Sequence, residues 1–139
     1  MLEAENISII NTVEQINNNA KIYLDLFFDQ PISITLSPFK QVKNNIKPSL
    51  NVEIFYKNEE SDLDMLSGGE IGRINIAFTL ALCDIFGSSL LLFDEATANL
   101  DQDTSNLIFS AIKENSINKL FIIVGHNMTE GIFDKIIVI

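Results

Sequence analysis

Three short segments carry residues whose types and spacing could do chemistry: Ser67-Gly68-Gly69-Glu70, the adjacent carboxylates Asp94-Glu95, and His126. Ser67 followed by Glu70 fits the S-x-x-E capping box, which marks a helix start. The first N–H groups of such a helix have no backbone partners, and its dipole favours negative charge. Gly68 and Gly69 let an anion approach closely, and the Ser67 hydroxyl adds a donor. Locally, the segment reads either as an ordinary capped helix or as a phosphate-facing one. Asp94 and Glu95 follow the apolar run Ser88–Phe93, which places them at the C-terminal end of a buried strand, where ligands gather in open α/β sheets. A hard Mg²⁺ takes one or two protein carboxylates plus phosphate oxygens and water, which suits Asp94. Glu95 could then orient or deprotonate an attacking water. The plain alternative is a solvated acidic strand end. His126 follows Phe121-Ile122-Ile123-Val124-Gly125, again at a predicted strand end, where its imidazole could donate to a terminal phosphate.

These residues need an α/β layer to position them. Behind Ser67, the apolar residues Ile71, Ile74, Phe78, Leu82 and Ile85 recur at helical spacing and predict an amphipathic helix ending near Gly87. Ser88–Phe93 reads as a strand buried on both faces of a parallel sheet. Asp101 can cap a helix running to about Asn115, with Leu107, Ile108, Ala111 and Ile112 inward. Leu120–Val124 is a second buried strand and Ile136–Ile139 a third, so the order implies right-handed crossovers.

Upstream, the pattern changes. Leu2, Ile9, Val13, Ile16, Ala20, Tyr23 and Phe27 keep a 3-4 spacing, with Asn6 as a polar seam position. This predicts a helix over residues 1–29, either coiled-coil-like or docked on the core of residues 30–139. Asn17-Asn18-Asn19 weakens it locally, and Asp29-Gln30-Pro31 ends it. Ile32, Ile34 and Leu36, then Leu50, Val52, Ile54 and Tyr56, alternate with polar residues and predict a two-stranded antiparallel pair joined by a lysine-bearing loop. Asn58–Asp64 is polar and acidic and reads as a loop.

Composition sets outer limits. The 139 residues are 47% hydrophobic, enough for one domain with its own core. A net charge of −10 disfavours a general grip on a nucleic acid backbone. Lys40, Lys43, Lys47 and Lys57 nevertheless stand against Glu53 alone over residues 31–57, either as solvated surface or as a DNA-facing patch. Cys83 is the single cysteine, so no disulfide framework exists and an intracellular setting is expected. No apolar run approaches the ~18 residues needed to span a bilayer, and the start does not resemble a secretory signal, so a soluble protein is expected.

Leu66-Ser67-Gly68-Gly69-Glu70, Leu90–Glu95, Asn99-Leu100-Asp101 and His126, in that order, resemble the ATP-binding-cassette ATPase superfamily. The resemblance is strongest from Leu63 to Asn127. It implies that Ser67, Gly68, Gly69 and Glu70 form the signature motif, which contacts the γ-phosphate of ATP held by an opposite subunit. It also implies that Asp94 is the Walker B aspartate holding Mg²⁺, Glu95 the catalytic glutamate, Ala98–Asp101 the D-loop at the dimer interface, and His126 the switch histidine.

A heptad helix entering the lobe, two strands before the motif, and Glu70 instead of Gln make the chain most similar to the C-terminal lobe of an SMC-type head. That family includes double-strand-break-repair ATPases whose head dimers clamp or process DNA. A transporter nucleotide-binding domain and a non-catalytic partner-binding lobe are the alternatives. No G-x-x-x-x-G-K-[ST] occurs, so an N-terminal lobe carrying Walker A is required for ATP binding and hydrolysis. An end at Ile139, inside an apolar strand, suggests a truncated or split protein.

Overall fold

The computed structural model describes residues 2–42, 45–114, 117–125, 129 and 131–138. The chain begins with helix α1 (Leu2–Phe27), followed by β1 (Ile32–Val42), β2 (Asn45–Tyr56) and β3 (Glu59–Ser61). A single 3₁₀ turn, Leu63–Met65, leads into α2 (Gly68–Phe86), then β4 (Leu90–Asp94), α3 (Gln102–Glu114) and β5 (Leu120–Val124). β1, β2 and β3 form one antiparallel sheet in that order, while β4 and β5 pair in parallel. This is the expected α/β architecture, with a parallel pair, flanking helices and an antiparallel sheet preceded by a long helix.

From Val13 onward α1 is a docked helix. Val13, Ala20, Tyr23, Leu24 and Phe27 are buried, and the helix packs against α2 and β1. Its earlier turns leave Ile7, Ile9 and Ile10 exposed. Asn17, expected only to weaken the helix, has a tertiary role. Its amide donates to the Leu36 carbonyl and its oxygen accepts from the Leu36 N–H, both at 2.9 Å. One side chain thereby satisfies an open stretch of the β1 edge.

The antiparallel sheet corrects two expectations. The loop expected over 58–64 contains β3 and the 3₁₀ turn, which makes the sheet three-stranded. Lys57 and Asn58 both take positive φ (55° and 66°) between paired Tyr56 and Glu59, a two-residue hairpin turn whose twist suits antiparallel strands. The β1–β2 arm is also longer than the alternation suggested, with a register shift between Ser37 and Phe39 beside Pro38. Lys40 pairs in register with Lys47 on this arm, so both belong to strands and not to a loop.

The core gathers α1, α2, α3 and one face of β4, with Leu24, Leu80 and Ile108 almost fully enclosed. The inner faces of the helices differ from the simple stripes. On α2, Leu82 is exposed and Ile85 half-buried, whereas Ile76, Ala77, Leu80, Ala81 and Cys83 are buried. With α1 on its flank, α2 buries a wider and rotated arc than a one-sided helix would. On α3, Leu107 is exposed, and Phe109 joins Ile108, Ala111 and Ile112 inside; Phe109 packs edge-on to Phe133 with ring centroids 5.1 Å apart.

The parallel pair is where expectation and structure part most. Leu91 and Phe93 are buried, but Leu90 and Leu92 remain 58% and 66% exposed. On β5, Leu120, Ile122 and Val124 are likewise exposed. One face of the pair is covered by helices, and nothing among the described residues covers the other. The strand expected at Ile136–Ile139 is absent from its described part. Residues 135–138 have no regular structure, and Ile136, Ile137 and Val138 are exposed with no strand partner among the described residues. Ile139 lies outside the described residues.

Candidate functional site

The start of α2 is built by its own sequence. Ser67 is the N-cap, with extended backbone (φ −68°, ψ 159°), and the capping box is complete. The Glu70 N–H donates to Ser67 Oγ (3.2 Å), and the Ser67 N–H donates to Glu70 Oε2 (2.7 Å). A third contact, Ser67 Oγ to the same Oε2 at 2.8 Å, closes the ring. The Ser67 N–H is the main cause that holds the Glu70 carboxyl below its ordinary range, with Tyr56, the Ser67 hydroxyl and the Arg73 charge adding to it against partial burial. At its far end α2 stops where Gly87 takes a left-handed conformation (φ 62°), as expected.

The two glycines also have a packing role. A Cβ on Gly69 would meet the Asn99 carbonyl at 3.0 Å and Leu100 Cδ2 at 3.5 Å, and one on Gly68 would sit 3.9 Å from the Asn99 amide. The helix start and the segment around Asn99 are therefore packed backbone to backbone. This contact joins two segments that the motif order had only suggested belong together.

β4 runs parallel to β5, with Asp94 level with Val124. The ladder continues one step further, because the Glu95 N–H donates to the Val124 carbonyl at 2.9 Å. Glu95 itself has φ 49°, a left-handed conformation rarely adopted by non-glycine residues. The chain thus turns at the carboxylate pair itself, and both Asp94 and Glu95 are exposed at the C-terminal end of the strand. The following turn is held by the Ala98 N–H on Glu95 O and the Leu100 N–H on Thr97 O, each at 3.0 Å.

Asp101 then caps α3. Its carboxylate accepts from the Thr104 N–H (2.9 Å) and hydroxyl (2.8 Å), contacts that lower its carboxyl below the usual value. His126 lies outside the described residues. Thr129 donates to Asn106 Oδ1 (2.6 Å) and accepts from Gln102 Nε2 (2.9 Å) on α3.

Several residues around the site had no motif to announce them. Asn99 acts through its backbone, and Tyr56 and Arg73 lie in a strand and a helix as unremarkable members of their patterns. Arg73 Nη1 donates to the Phe27 carbonyl (3.0 Å), and its guanidinium lies 4.2 Å from the centre of the Phe28 ring. Tyr56 meets Phe28 edge-on at 6.1 Å, and burial, with the Glu70 carboxylate adding to it, pushes its hydroxyl above the ordinary tyrosine value. Only Arg73, three residues after Glu70 and hence on the same helix face, carried a spacing signal.

Comparison with known proteins gives this geometry a setting. No family model matches the chain. It is 44% identical, over 97% of its length, to the uncharacterized protein 050L of Invertebrate iridescent virus 6, and 34% identical to 094L of Invertebrate iridescent virus 3. The chain spans 14% and 16% of the lengths of these two relatives. Over 65% of the chain and 37% of the relative, it is 36% identical to the lipoprotein-releasing system ATP-binding protein LolD of Buchnera aphidicola.

Among solved structures, the Smc head domain with a coiled coil and joint from Pyrococcus yayanosii superimposes with a TM-score of 0.69 and 26% identity, over 88% of this chain and 23% of that one. The Pyrococcus furiosus Smc head bound to the C-terminal domain of ScpA gives 0.67 and 25%, over 84% and 29%. In fold and motifs the chain is similar to the ABC-type ATPase superfamily. Its architecture is that of an SMC-like C-terminal lobe.

Proposed function

We propose that this chain is the C-terminal half of an SMC-like ATPase that binds and hydrolyses ATP at a dimer interface, in DNA repair, recombination or chromosome maintenance. The observation that carries this reading is the close contact between the Ser67–Glu70 helix start and Asn99–Leu100, directly after the exposed Asp94-Glu95 strand end. Ser67, Gly68 and Gly69 offer a hydroxyl and helix N–H groups to the terminal phosphate of a nucleotide held by the opposite subunit. Asp94 is the ligand for Mg²⁺, which supplies charge stabilisation at the phosphates when bound. Two carboxylates at a strand end suit such an ion. Among the described residues no group of three or more His, Cys, Asp or Glu converges, so the remaining ligands belong to nucleotide, water and the other lobe.

Glu95 orients and deprotonates the attacking water, and His126 donates to the terminal phosphate. Asp101 fixes the D-loop by capping α3. The bare face of β4 and β5 is where the N-terminal lobe with Walker A docks. DNA is reached through the assembled complex. The likeness to LolD raises a transporter reading, but α1 and the antiparallel sheet ahead of the signature helix favour the SMC-like one.

The test is Glu95→Gln in the assembly of this chain with a Walker A lobe. ATP binding is expected to persist, hydrolysis to fall at least ~100-fold and a closed dimer to accumulate. Hydrolysis at the unaltered rate would refute the role of Glu95.

A further inference from the structure

The start of α3 carries a ring of polar side chains that no motif accounts for. Gln102 and Asn106 lie one turn apart on α3, and Thr129 comes from beyond β5. Gln102 Nε2 donates to Thr129 Oγ1 (2.9 Å) and to Asn106 Oδ1 (3.1 Å), and Thr129 Oγ1 donates to Asn106 Oδ1 (2.6 Å). The ring closes in one direction only. Gln102 directs one amide hydrogen to each partner, the threonine oxygen accepts one of them, and its single proton is left for Asn106. The Asn106 oxygen, with two lone pairs, takes both remaining donors.

Other contacts already hold the chain beyond Thr129 to α3. Phe133 packs edge-on to Phe109 at 5.1 Å, and Lys113 Nζ donates to the Gly131 carbonyl (3.2 Å). The ring itself is exposed at Gln102 and only half-buried at Asn106 and Thr129, so it adds little to the packed core. What it adds is a fixed point close to the exit of β5. Val124, at that exit, is level with Asp94 and accepts from the Glu95 N–H. Thr129 is bonded to Gln102, the residue after Asp101, whose carboxylate caps the same turn of α3. In sequence, His126 falls between these two fixed points, three residues before Thr129. Three residues cover at most about 11 Å of chain, so the seat of Thr129 bounds the reach of residue 126.

We propose that Gln102, Asn106 and Thr129 are positioning residues that tie the chain leaving β5 to the helix started by Asp101. They keep His126 and the D-loop in one fixed relation to the Asp94-Glu95 strand end. This role rests on the nucleotide-hydrolysing reading of that strand end.

The test uses this chain assembled with the Walker A lobe. It records the hydrolysis rate at saturating ATP, the ATP concentration for half-maximal association, and the thermal midpoint. Thr129→Val keeps the side-chain shape and removes the hydroxyl. It should lower the hydrolysis rate about tenfold or more, because small displacements of a reacting group are costly. The half-maximal ATP concentration should change less than about twofold and the midpoint by less than about 3 °C, as for a surface substitution. Thr129→Ser keeps the hydroxyl and should hold the rate to within about twofold of the unaltered chain. Gln102→Leu should reproduce the loss, and combining it with Thr129→Val should add nothing further, since either change breaks the same ring. A rate unmoved by Thr129→Val, a rate loss that tracks the thermal midpoint, a Thr129→Ser chain as slow as Thr129→Val, or additive losses would overturn the proposal. Glu95→Gln separates the two claims. Hydrolysis that survives Glu95→Gln sinks both, whereas its loss there with Thr129→Val unmoved removes the ring's role alone.

Discussion

Leu92 and Phe93 are neighbours on β4 that face opposite environments, 66% and 7% exposed. If the open face of β4 and β5 is the docking surface for the Walker A lobe, altering the two residues should have separable consequences. Full burial of a leucine or isoleucine side chain contributes about 1.5–3 kcal/mol. Two-thirds of that remains ungained at Leu92, and a little under half at its register partner Ile122, which is 45% exposed. Leu92→Thr with Ile122→Thr should therefore weaken assembly with the Walker A lobe by about 2–3 kcal/mol, roughly 30- to 150-fold in Kd.

The same pair should change the stability of the isolated chain by less than ~1 kcal/mol, since β-branched threonine suits a strand and little buried area is lost. Phe93→Ala removes a buried ring stacked on Phe121 and should cost about 3–5 kcal/mol in the isolated chain. Urea denaturation measures the stabilities and titration calorimetry the association. If the threonine pair unfolds the isolated chain as severely as Phe93→Ala, the face is already covered. If assembly is untouched, the lobe docks elsewhere. Either result refutes the reasoning.

Asp84 joins α1, α2 and the loop before β5, accepting from the buried Tyr23 hydroxyl (2.6 Å) and from Lys119 (2.7 Å). Asp84→Ala should destabilise by about 2–3 kcal/mol, mainly by leaving the tyrosine hydroxyl without an acceptor, and Asp84→Asn by about 1 kcal/mol; urea midpoints at constant m-value check the order. Glu70 and Asp101, the two helix caps, both have folded carboxyl values below the ordinary 4.5 and 3.8. Their contribution to stability is thus present at neutral pH and lost as pH falls through those lowered values. Helicity and denaturation profiles taken into acid should show this loss, and Glu70→Gln should flatten its share.

Much of this was legible in local sequence. The helix start at Ser67, the stop at Gly87, the Asp101 cap and the strand end at Asp94-Glu95 depend on neighbours within one turn, and the chain spells such contacts out directly. The alternation at Ile32–Leu36 and Leu50–Tyr56 likewise announced an antiparallel pair. Even β3 had a local cue, the Lys57-Asn58 turn, hidden by the acidic residues around it.

What the sequence could not decide depends on what stands opposite each side chain. The apolar runs of β4 and β5 implied two covered faces, yet the described residues supply helices for only one. Asn17 read as a helix weakness until β1 brought Leu36 against it, and Leu82 and Leu107 read as core until α1 and Phe109 took that space. The glycines of the signature segment are the clearest case. Their types suggested room for an anion, but only the tertiary fold brought the Asn99 carbonyl to where a Cβ would stand. Spacing determined which residues share an element. Packing across long sequence separations decided which of them face protein and which are left for a partner.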